Sequence, residues 1–89
     1  MSRRVYYRPE FNRDAMLLGG IAAVQRVIAP IIQTLEEGDP TGFGLLDVGT
    51  SIRYASTRSV GNMPPLVVTF RIDEDDDVAM LSVTARMSR

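Results

Sequence analysis

From Leu17 to Leu35 the apolar residues recur in steps of four and three: Leu17, Ile21, Val24, Ile28, Ile31, Leu35. That spacing lays one stripe along a helix. Pro30 falls inside the stripe. It has no amide to offer the carbonyl of Arg26 and its ring crowds that group, so a kink is expected there. The stop is written in Glu36-Glu37-Gly38-Asp39-Pro40, which predicts a left-handed glycine cap followed by a proline that cannot continue the helix. A long stripe also occurs in coiled coils, but one broken by proline points to a helix packed on a sheet.

Upstream the period is two. Residues 3–8, RRVYYR, set Val5 and Tyr7 against Arg4, Tyr6 and Arg8, the pattern of a short strand with one core face. Pro9 ends it and can open a helix. That helix is expected to run to about Leu18, with Phe11, Ala15 and Leu18 on one side, until Gly19-Gly20 interrupts the chain. Downstream, residues 39–51 carry three glycines and a proline and predict a loop, with Leu45 and Leu46 tucked beneath it. A strand over Ile52 to Arg58 carries Tyr54. The stretch SVGNMPP then makes a connection longer than a tight hairpin requires.

Two further strands flank five acids. Leu66, Val68, Phe70 and Ile72 share one face and Val67, Thr69 and Arg71 the other. After the acids, Ala79, Leu81, Val83 and Ala85 alternate with Met80, Ser82, Thr84 and Arg86. Each strand has an apolar and a mixed face, as a sheet covered by helices on one side requires. The order is β-α-α-β-β-β in one domain over residues 1–89. The expectation is an α+β fold, an antiparallel sheet packed on one face by two helices from the N-terminal half.

Composition narrows the chemistry. At 89 residues, 45% hydrophobic and 24% charged, the chain can bury a core and is not of the disordered class. It has no cysteine, which excludes disulfides and thiolate metal sites and suits a reducing cytosol. It has no histidine, the usual general base and commonest transition-metal ligand. All ten basic residues are arginine, so no lysine serves as base or Schiff-base nucleophile. No run resembles a signal peptide or a membrane span, and a cytoplasmic location is expected. Five of the eleven acids lie at residues 73–77. The rest sets ten arginines against six acids, a net +4, so the body is mildly basic and one tip acidic.

Three candidate sites follow. Asp73, Asp75 and Asp77 open like a calcium loop, but Val78 stands where a turn glycine belongs and Thr84 where a bidentate glutamate belongs. The run is therefore expected to be a hydrated turn, and neither metal nor cofactor is assigned. For catalysis, no ordinary triad or thiol dyad can be assembled. Glycines at 42, 44 and 49 lack the lysine of a phosphate loop, and a carboxylate pair such as Glu36 with Asp47 is not singled out by spacing. The third is an arginine-bearing sheet face. Arg71 with Thr69 is expected beside Arg86 with Thr84 and Ser82, away from the helices and bordered by Arg53, Arg58 and Tyr54. Guanidinium groups there would hold phosphates or carboxylates bidentately, and a tyrosine can stack on a base.

The order of parts resembles the RelE/ParE superfamily of small bacterial toxins from toxin–antitoxin pairs. The resemblance rests on VYYRPEF as first strand, a helical pair ending in LEEGDP, the GLLD loop and the closing hairpin LVVTFRIDEDDDVAMLSVTAR. It implies a compact toxin neutralised by an antitoxin, acting by cleaving messenger RNA on the ribosome or by poisoning gyrase. By position, Arg86 resembles the arginine near the end of the last strand in ribonuclease members. Arg71, Arg86 and Tyr54 are the catalytic candidates under that implication, and Arg53, Arg58, Arg71 and Arg86 the binding ones. The chain departs from the ribonucleases in having Pro65-Leu66 where another arginine starts a strand and Met87-Ser88-Arg89 where a tyrosine or histidine is frequent. A non-nuclease, ParE-like toxin is therefore the expectation. The alternatives are an endoribonuclease, or a non-toxic interaction module or homo-oligomer on the same scaffold.

Overall fold

The computed structural model describes residues 3–38, 45–46 by backbone alone, and 51–86. Strand β1 (Val5–Tyr7) leads into helix α1 (Pro9–Leu17) and helix α2 (Ile21–Glu37). Strands β2 (Leu45–Leu46), β3 (Ile52–Ser56), β4 (Leu66–Ile72) and β5 (Val78–Ala85) follow. They form one sheet in the order β1-β5-β4-β3-β2. The class is α+β and the order of elements is that expected, with β2 added. This two-residue strand on β3 occupies part of what the glycine pattern assigned to a loop. The sheet is mixed rather than wholly antiparallel: β1 returns beside β5 in parallel, Val5 opposite Val78 and Tyr7 opposite Met80.

The core lies on one face of this sheet. Phe11 and Ala15 of α1 and Val24, Val27, Ile28, Ile31 and Leu35 of α2 pack on Leu66, Val68, Phe70, Val78, Met80 and Val83. The helix stripe thus holds from Ile21 onward, with Ile21 partly buried at its start. Leu17 does not belong to it: it ends α1 and is 81% exposed. The break between the helices is the reason. Gly19 and Gly20 both have positive φ, 119° and 114°, which L side chains rarely adopt, so the chain turns there by 112° and α2 starts a new phase. Among the described residues no single helix is long and apolar enough to cross a membrane.

The helix continues past Pro30 to Glu37, with the proline on an exposed flank. One detail at α2 departs from expectation. Gly38 is not a left-handed cap, because its φ of −94° and ψ of −167° are extended. Glycine is required there for space instead: its amide donates to the Thr34 carbonyl at 2.7 Å, and a Cβ would stand 2.8 Å from that same oxygen.

β4 presents its faces as the alternation predicts, but β5 does not. Thr69 pairs with Ser82 and Phe70 with Met80, leaving Leu81 as an extra residue. This bulge shifts the phase of everything before it. Val83 and Ala85 face the core as expected, but the core residues before the bulge are Val78 and Met80, not Ala79 and Leu81. Past Met80, β5 has no β1 neighbour, and the Val83 amide donates to Asp14 Oδ2 of α1 at 3.3 Å.

Candidate functional site

The helix-free face of the sheet follows from the register. One row sets Ile52, Arg71, Ala79 and Tyr6 side by side, the next Leu45, Tyr54, Thr69 and Ser82, and a third Ser56, Val67 and Thr84. Arg71 and Tyr54 are diagonal neighbours, a spacing of roughly 7–8 Å that long side chains bridge. Both are exposed. Arg71 also borders a cleft of about 560 Å³ with Ser51, Asp73, Glu74 and Asp75. Its guanidinium has no partner among the described residues.

The other arginines assigned to this face lie elsewhere. Arg86 donates its amide to the Pro65 carbonyl, beyond the pair Leu66–Ala85, whereas Arg71 pairs with Ala79. Pro65 and Arg71 are six positions apart on an extended chain, about 20 Å at the usual strand rise. Arg71 and Arg86 therefore stand at opposite ends of the hairpin, not side by side. Arg53 pairs with Phe70 and so belongs to the helix-facing side, half-buried. Arg58 lies past the end of β3, where it lines a groove against α2. Of the expected cluster, Arg71, Tyr54, Thr69 and Ser82 come together, with Thr84 on the same face in the next row. Asp47 and the glycines at 42, 44 and 49 lie outside the described residues.

The acidic run is more than a hydrated turn. Its tip, Glu74 to Asp76, is exposed. Asp73 organises the turn: Oδ1 accepts from the amides of Asp75 and Asp77 at 3.0 Å each, and Oδ2 accepts from the Tyr6 hydroxyl at 3.2 Å. Asp76 takes φ of 66°, a region that aspartate tolerates better than most residues. The N-terminal arginines close on it. Arg3 donates through Nε to the Asp76 carbonyl, through Nη2 to Asp76 Oδ2 at 2.7 Å, and through Nη1 to the Gly38 carbonyl. Arg4 pairs with Asp77 at 3.0 Å and lies 5.6 Å from the Tyr6 ring centre. The Arg3 amide also donates to the Glu36 carbonyl, so one residue joins β1, the turn and the end of α2. Among the described residues no three acidic side chains converge as a ligand set.

Sequence reasoning missed this clamp because its partners are 73 positions apart. The signal was present, an Arg-Arg pair at one end of the chain and an acid run near the other, but nothing local joins them. It also missed the groove beside α2. Near the clamp, burial and then the Glu36 carboxylate push the Tyr7 phenol above its ordinary value, and the Tyr7 ring sits 5.1 Å from Phe11.

Chemically, the open face offers a guanidinium, a phenol and hydroxyls. That set binds anionic or planar groups. Compared with family models, curated proteins and solved structures, the chain matches none of them.

Proposed function

We propose that this chain is a RelE/ParE-like toxin of bacterial, cytoplasmic origin that acts by binding a cellular target and is neutralised by an antitoxin. Inhibition of a gyrase-type target is favoured over message cleavage. The observation that carries the choice is the separation of Arg71 from Arg86, about 20 Å along the hairpin. Two arginines so placed cannot stabilise charge on one phosphodiester, whereas a protein target can meet Arg71 and Tyr54 over an extended face. The reading is supported by the order of elements, a strand, two helices and then strands closing in the β4–β5 hairpin. The scaffold alone does not carry function, since one fold serves many.

The test is growth of a heterologous bacterium after induction of the chain, beside Arg71→Ala, Arg86→Ala and the double variant. Arrest relieved by Arg71→Ala, with Arg86→Ala still toxic, fits binding through the open face. Relief by either single variant together with cleavage of ribosome-bound message would replace this reading by the endoribonuclease. Unimpaired growth with soluble protein would leave a non-toxic interaction module.

A further inference from the structure

We propose that the groove between α2 and the β3–β4 connection docks a segment of a partner protein that presents apolar side chains flanked by carboxylates. Identifying that partner with the antitoxin rests on the function proposed above; the docking chemistry does not. The groove encloses about 340 Å³ between Val27, Pro30 and Ile31 of α2 and Thr57, Arg58 and Val60 of the connection. This is near the lower end of the roughly 300–1,000 Å³ typical of ligand pockets, suited to one or two inserted side chains. Its floor is the outer surface of the core, Val27 and Ile31, and at its rim Val60 stands 47% exposed. The connection is held open there by a tight turn: Val60 and Met63 exchange backbone hydrogen bonds around Gly61, whose φ is 59°.

The charge at the rim selects the occupant. Arg58 lines the groove, and Arg26 stands one helical turn before Pro30 on the same flank of α2. Both are exposed, and neither guanidinium has an ion pair among the described residues. Among the described residues the acids are engaged or placed elsewhere: Glu10 lies by Arg8, Asp14 accepts from the Val83 amide, Glu36 and Glu37 end α2, and the acidic turn is held by Arg3 and Arg4 at the other end of the sheet. A polyanion without apolar groups would satisfy the arginines but leave Val60 and the floor in water. A segment with apolar residues between acids covers both, as amphipathic segments do in hydrophobic grooves.

The experiment is a titration of the isotope-labelled full chain with a capped peptide of alternating leucine and glutamate pairs, followed by amide chemical shifts. Shifts are expected at Val27, Ile31, Thr57, Arg58 and Val60. Val60→Asp and the Arg26→Glu, Arg58→Glu double variant should each weaken binding about tenfold or more, a loss of one decade or above in Kd. A peptide with lysine in place of glutamate should not bind, and Glu74→Gln on the acidic tip should bind as the parent does. Thermal melts of the variants, all altered at exposed positions, confirm folding. Four results would each overturn the proposal: no shifts at millimolar peptide, shifts confined to the open sheet face, equal binding of the lysine peptide, or displacement of shifts by a single-stranded RNA oligonucleotide. Self-association of the parent abolished by Val60→Asp would make a second copy the occupant and overturn it likewise. Groove shifts without growth arrest would remove the toxin reading and leave the docking site; arrest without groove shifts would do the reverse.

Discussion

Arg3 and Arg4 lie against the acidic turn at one end of the β4–β5 hairpin, while Arg58 and Arg86 stand at the other end, beyond β3 and β5, their guanidinium groups without an ion pair among the described residues. Arg3 is mostly covered, at 17% side-chain exposure, and donates to three acceptors; Arg4 closes a second pair on Asp77. These N-terminal arginines hold β1 at its place in the sheet and lower the repulsion within five consecutive acids. The side chains of the distal ones close no ion pair among the described residues and remain available to a ligand. One residue type therefore does two jobs. Which job follows from whether an acid lies within reach in the fold, not from local sequence. Surface ion pairs alone contribute little, so the clamp's strength lies in its backbone acceptors and in Asp73 rather than in charge.

The contrast can be broken by mutation. Ile28→Asp, beneath both ends, should cost several kcal/mol or abolish the cooperative melt, because an unpaired charge enters a fully buried site. Asp73→Ala removes an acceptor from two turn amides and the Tyr6 hydroxyl, and should cost about 2–3 kcal/mol in denaturant unfolding. Arg3→Ala should cost about 1–2 kcal/mol, against less than about 0.5 kcal/mol for Arg58→Ala. Equal costs for Arg3 and Arg58 would erase the distinction between the two ends.

A pH experiment sharpens the same region. The Tyr7 phenol, raised in the fold, keeps its proton longer there than in the unfolded chain, whose value is near 10.0. Its contribution is fully present below that pH and is lost as pH rises through the folded value, so stability should fall on the alkaline side. Tyr7→Phe should flatten that decline; an unchanged decline would mean that other groups cause it. The smallest effect is expected at the tip. Asp75 donates its amide to Asp73 but its carboxylate holds nothing among the described residues, so Asp75→Asn should leave the melting temperature nearly unchanged with or without calcium. A large calcium-dependent shift in the parent would show that the turn takes a metal after all.

Much of the fold was legible because its signals are local. The four-three stripe from Val24 to Leu35 and the alternation of Leu66, Val68 and Phe70 are periodicities that burial enforces within one element. The candidate site was legible only in part. Arg71, Tyr54, Thr69 and Ser82 share a face as their parity indicates, but Arg86 was expected beside Arg71 and lies at the far end, because residues of a hairpin meet only when they are equally far from the turn, and Arg71 is next to it while Arg86 follows the last residue of β5. Arg53 turned inward for a similar reason: its face depends on the register of β3 against β4, which sets it opposite Phe70.

By itself, then, the sequence determined the order of elements, the helix break at Gly19-Gly20, the core face of β4 and the acidic turn, all governed by interactions over a few residues. Tertiary structure decided the parallel return of β1, the bulge at Leu81, the Arg3 and Arg4 clamp and the groove of Val60 against α2. Each of these depends on which residue of one element meets which residue of another. A strand repeats every two residues, so a single inserted residue reverses every side chain on one side of it. That reversal shows only in the paired strands.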